Sequence, residues 1–138
     1  MNRTKAREIS FTLIFALDFQ QEDIYERLED MKEEWEEKSS DQIPFIEETV
    51  LAVYQNLEKL DSTISDHLKA GWSIGRISKV SLAVLRLAVY EITMTDTPDK
   101  AVVNEAINLA KKYDDPVMAS FANGVLASVL RERECLSE

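Results

Sequence analysis

The chain has 138 residues, a formal net charge of −10 and a hydrophobic fraction of 45%. That length suits one domain with a core of useful size, and only three glycines and three prolines favour helices over hairpins. One cysteine, Cys135, excludes an internal disulfide, and one histidine, His67, leaves little material for a Cys/His zinc site, so the expected setting is reducing and cytoplasmic.

The chain opens on MNRTKAREIS, which places Arg3, Lys5 and Arg7 at the start of an acidic protein. The apolar ISFTLIFAL that follows has the length of a signal-peptide core, but Glu8 interrupts its boundary, Asp18 closes it and no small-residue cleavage pattern follows. A helix fits better: Ala6, Ile9, Leu13 and Ala16–Leu17 recur at helical spacing, with Phe11, Phe15 and Phe19 in a second stripe beside them. From Glu22 to Glu48 there are twelve acids against three bases, which accounts for nearly all of the net charge. Within that segment Ile24, Leu28, Met31 and Trp35 step by four, three and four, the pattern of an amphipathic helix with a solvated acidic face. In SSDQIPF, Ser40 or Asp41 offers a cap and Pro44 stands near a helix start. Ile46, Val50, Val53, Leu57, Leu60, Ile64 and Leu68 then hold helical spacing over one long helix or two joined near Asp61.

Gly71 and Gly75 bracket a loop, GWSIG, after which ISKVSLAVLRLAVYEITM reads apolar on nearly all sides and belongs at the centre of the fold. With Arg86 at its middle, that run is too short and too charged to span a bilayer. DTP and DDP each place a capping residue before a proline and predict helices starting at Pro98 and Pro116, the first running to Tyr113 and the second to about Glu134. The expectation is one all-α domain over 1–138 with six or seven helices and no strand or internal repeat.

Enzyme signatures are mostly absent: there is no glycine-rich phosphate loop, no G-x-S-x-G elbow and no H-E-x-x-H. His67 lacks partners at metal or triad spacing and reads as a solvent-facing or locally hydrogen-bonded side chain. Nothing marks Cys135 as a nucleophile. The acidic segment has no calcium-loop pattern, although its field suits a basic protein. Asn104, Asn123 and Gly124 read as architecture: a half-buried amide can tie helices together, and a helix-interior glycine lets another helix approach. The N-terminal cations lack a stability motive, because they oppose the helix macrodipole. On a regular helix Arg3 and Arg7 share a face while Lys5 lies about 200° away, so only a frayed start would bring all three to one ligand.

Taken in order, these segments resemble the NusB family of transcription antitermination factors. RTKAREISFTLIFALDF looks like that family's basic R-x-x-A-R opening and first helix, and SKVSLAVLRLAVYEI is similar to its central helix. AVVNEAINLAKKY is similar to its I-N-E-A-hydrophobic-x-L-A-K segment, and SFANGVLASVL to its K-F-V-N-G-V-L helix. The match covers the first 20 residues and nearly everything from Leu57 to Leu130, while the acidic middle matches only as helices of suitable length.

The resemblance implies about seven helices in two small bundles around a central helix, and a non-catalytic role without cofactor or metal. It implies binding of the boxA segment of nascent single-stranded RNA together with the ribosomal protein NusE, within the transcription elongation complex and as a monomer or homodimer. Carried over by position, Arg3, Lys5 and Arg7 match the RNA-contacting start. Phe15, Tyr113 and Phe121 match aromatic positions near that surface, with core packing the preferred reading for Phe121. Asn104, Glu105, Asn123 and Gly124 match motif positions read as structural. Three phosphate contacts to a single strand would give a log–log salt slope of roughly −2.

Two departures stand out: Thr4 occupies a place where members often have another basic residue, and Ser120 replaces the usual lysine of K-F-V-N-G. The alternative is therefore a protein-only helical adaptor that keeps the fold and binds little or no RNA. The same fold occurs as an N-terminal domain of certain ribosomal RNA methyltransferases, but 138 residues leave no room for a catalytic domain, so a free-standing factor is expected.

Overall fold

The computed structural model describes residues 1–19, 23–39 and 41–137, without the side chains of 36–39 and 136–137. Among the described residues there are seven α-helices, one short 3-10 helix and no strand, in the order α1 (Arg3–Ala16), α2 (Ile24–Ser39), α3 (Ile43–Gln55), α4 (Leu57–Asp66), the 3-10 turn (Ile74–Arg76), α5 (Lys79–Met94), α6 (Asp99–Tyr113) and α7 (Pro116–Ser137). The all-α expectation holds. The helices fall into two compact units, Met1–Gln55 and Asn56–Glu138.

In the first unit α1 and α2 each pack on α3. The α1 stripe of Ala6, Ile9, Phe11, Leu13 and Ile14 is buried, as are Ile24, Leu28 and Met31 of α2 and Ile46, Val50 and Val53 of α3. These are the residues whose 3.6-residue period marks a buried face, and removing their apolar surface from water drives the packing. The stripe of three phenylalanines is graded: Phe11 is buried, Phe15 half-buried and Phe19, past the helix end, 58% exposed. Lys32 links α2 to α3 by reaching Glu47 at 2.9 Å while also contacting Glu29 at 3.1 Å, and these two carboxylates raise its pKa above the usual 10.5. The expected cap at Ser40 lies outside the described residues.

The continuous apolar period after Pro44 resolves into two helices, α3 ending the first unit and α4 opening the second, and the break between them falls at Asn56 instead of near Asp61. Asn56 leaves helical geometry with φ −118° and ψ 17°, and a one-residue break displaces the hydrophobic stripe too little to show in the spacing. The Ser78 hydroxyl caps α5 by accepting the Ser81 N–H at 3.0 Å. All twelve residues from Ser81 to Ile92 are buried, Arg86 and Glu91 included. α5 contacts α4, α6 and α7, which gives it the central place in this unit that its all-round apolarity predicts. α6 begins at Asp99 with Pro98 as its cap residue, and α7 begins at Pro116, where the Asp115 carboxylate accepts the Met118 N–H at 2.8 Å. Arg133 of α7 donates to the Ile92 carbonyl near the end of α5 and to Asp99 of α6, both at 3.0 Å. No helix among the described residues is long and apolar enough to cross a membrane.

Candidate nucleic-acid interface

The basic opening is ordered from its first turn. Asn2 caps α1 by accepting the Lys5 N–H at 2.9 Å, so Arg3 is already helical and the start is not frayed. Arg3 and Lys5 are exposed, on different sides of the helix. Arg7 is only 9% exposed, with Ala6 and Ile9 among the buried residues of α1. The i, i+4 spacing puts Arg7 on the Arg3 side, but one turn further in, the buried face of α1 has widened to take in Arg7. The exposed cations of the opening are therefore two residues, Arg3 and Lys5.

Both meet aromatic rings from other helices. The Arg3 guanidinium carbon lies over the Phe45 ring of α3, 3.9 Å from its centroid, and the Lys5 ammonium lies 5.9 Å from the centroid of Trp35 on α2. Lys5 also pairs with Glu8 at 3.2 Å, one turn along α1. Phe15 belongs to a ladder of rings, 6.2 Å from Phe11 and 4.7 Å from the exposed Phe19.

The remaining aromatic candidates lie in the second unit. Tyr113, the last residue of α6, is 39% exposed, and the Lys112 ammonium stands 5.5 Å from its ring centroid. Phe121 is half-buried on α7, 5.8 Å from Trp72. Trp72 is presented by a turn in which its N–H donates to the Lys69 carbonyl at 3.0 Å and Gly71 takes φ +88°, a conformation that favours glycine. Trp72 and Phe121, with His67, Val117, Gly124 and Arg131, line a groove of about 910 Å³. His67 is held from both ring nitrogens by α7, by the Ser128 hydroxyl at 2.8 Å and the Glu132 carboxylate at 2.6 Å. The expectation of a solvent-facing or locally hydrogen-bonded histidine is thus corrected: both partners are distant in sequence and lie on α7.

The motif residues read as architecture behave differently. Asn104 and Asn123 are exposed, and neither side chain hydrogen-bonds another described residue. Gly124 is exposed too, and a Cβ built on it would find no atom within 4 Å. The amide ties and the close helix approach are thus corrected: these three positions face outward from α6 and α7. Glu105 is half-buried and engaged with a neighbour. Periodicity around the chain overlooked Phe45 and gave Trp35 only a packing role, because both act across helices. The sequence carried no signal for them beyond their aromatic character.

The family model for the NusB family matches residues 4–131. The chain is 39% identical over 133 residues to the transcription antitermination protein NusB of Pediococcus pentosaceus, covering 95% of this chain and 98% of that one. It is 39% identical over 132 residues to the protein of the same name from Acetivibrio thermocellus, covering 95% and 90%. Among solved structures, T. maritima NusB superposes with a TM-score of 0.87 at 30% identity, covering 96% of this chain and 92% of that chain. A chain of the crystal structure of antitermination factors NusB and NusE in complex with dsRNA gives 0.83 at 28% identity, covering 94% and 96%. Matched along nearly its whole length in sequence and in fold, the chain belongs to the NusB family.

Proposed function

We propose that the protein is a transcription antitermination factor that acts in the cytoplasm and binds boxA-type single-stranded RNA together with NusE during ribosomal RNA transcription. The observation that carries this reading is the capped first turn of α1, which exposes Arg3 and Lys5 in a chain whose relatives are named antitermination proteins. The solved complex of NusB and NusE with dsRNA supports RNA and NusE as the classes of partner. The two cations hold phosphates, and the partly exposed rings of Phe15, Tyr113 and Phe121 offer faces on which unpaired bases stack, each stack worth about 1–3 kcal/mol. A chain of net charge −10 repels RNA at long range, so a basic partner is needed to bring the strand in. Titration of labelled boxA RNA with the protein, with and without NusE, tests the reading. Tight binding is expected only in the ternary mixture, and no binding in any mixture refutes it.

The burial of Arg7 and the pairing of Lys5 with Glu8 favour one other reading, the protein-only adaptor. It requires NusE to be captured equally well after nuclease treatment, with RNA adding nothing to complex stability.

A further inference from the structure

Arg3 and Lys5 sit where the dipole of α1 opposes positive charge, and each has a long side chain with rotamer freedom to lose on meeting a ligand. Left to itself such a turn would sample many arrangements. Here each cation is held on the ring of a residue from a different helix: Arg3 over Phe45 of α3 at 3.9 Å, and Lys5 near Trp35 of α2 at 5.9 Å. Both rings are half-buried, so each has a part fixed by packing and a part available to a cation. The Asn2 cap fixes the backbone from which the cations project.

We propose that Phe45 and Trp35 are positioning residues of the RNA-binding turn, whose ring faces hold Arg3 and Lys5 in place for contact with a single-stranded nucleic acid. A guanidinium lying over a ring keeps its N–H edge for a phosphate and its outer face for stacking on a base. The other two helices of the first unit thereby each support one cation of the opening, on different sides of α1. This inference rests on the RNA-binding reading above.

The test is a double-mutant cycle on boxA RNA affinity in the presence of NusE, using Arg3→Ala, Phe45→Leu and both together. An exposed cation–π contact of this kind predicts a two- to fivefold loss for Phe45→Leu, and no further loss when Phe45→Leu is added to Arg3→Ala. Phe45→Tyr, which keeps the ring face, retains the affinity of the unmodified protein. Arg3→Ala flattens the log–log salt slope by about 0.7, whereas Phe45→Leu, which removes no charge, leaves it unchanged. A loss from Phe45→Leu that is the same with and without Arg3, or one that Phe45→Tyr does not restore, overturns the proposal. If Arg3→Ala weakens binding and Phe45→Leu does not, the positioning role alone fails. If Arg3→Ala has no effect, the RNA-binding turn and its positioning residues fail together. Melting curves accompany each variant, and should Phe45→Leu not fold, the same cycle with Lys5→Ala and Trp35→Leu decides the question.

Discussion

The ion pair between Arg86 and Asp61 makes an asymmetric prediction. The Arg86 side chain, midway along α5, is 7% exposed and donates from Nε to Asp61 Oδ1 at 2.8 Å and from Nη2 to Oδ2 at 2.7 Å, while the Asp61 side chain keeps 26% exposure. Removing one partner of a fully buried pair costs about 3–5 kcal/mol, because the other charge stays desolvated. Asp61→Ala takes the carboxylate from a guanidinium that water reaches poorly, and some entering solvent at the vacated site brings the expected cost to about 2–3 kcal/mol. For a chain of this size that corresponds to a fall in melting temperature of about 7–10 °C. Arg86→Met instead leaves an aspartate that water can reach and fills the buried volume with an apolar chain, at a cost of about 1 kcal/mol or less. Urea and thermal unfolding of the two variants side by side measures the difference. If Arg86→Met costs as much as Asp61→Ala, or if Asp61→Ala costs under about 1 kcal/mol, the unequal burial of the partners does not control the energetics.

Two glycines should respond to the same substitution with opposite signs. Gly124→Ala places a methyl in open space inside α7 and is expected to stabilise by up to about 1 kcal/mol, whereas Gly71→Ala forces a side chain onto φ +88° and costs about 1–2 kcal/mol, both read from unfolding midpoints. Arg7 should separate from its neighbours: Arg7→Ala lowers the melting temperature more than Arg3→Ala, which loses only an exposed contact with Phe45, while Arg3→Ala weakens RNA binding, measured by paired melting curves and RNA titrations.

What spacing and composition conveyed well were the elements whose cause is local. The α1 stripe, the all-round apolarity of α5 and the Asp–Pro start of α7 each depend on residues within a few positions, and each stands where its pattern indicates. The break at Asn56 was invisible because one non-helical residue hardly shifts the stripe. Burial misled at Arg7, since a cation's charge says nothing of where its stem packs. Asn104, Asn123 and Gly124 invited a packing explanation that needed a neighbouring helix, and whether one stands there is a tertiary fact. The clamp on His67 and the rings under Arg3 and Lys5 likewise join residues far apart in sequence, with no periodic trace.

The burial of Arg7 also revises the electrostatics. With Arg3 and Lys5 as the exposed cations of the opening, its contribution to the salt slope falls from the roughly −2 of three phosphate contacts to about −1.4 for two. The most direct measurement is therefore boxA RNA affinity in the presence of NusE across a series of salt concentrations, for the unmodified protein and for the Arg3→Ala/Lys5→Ala double variant. A double variant that binds more weakly at low salt, with a slope shallower by about 1.4, is the predicted result; equal affinities and equal slopes for the two proteins would contradict an RNA-binding first turn.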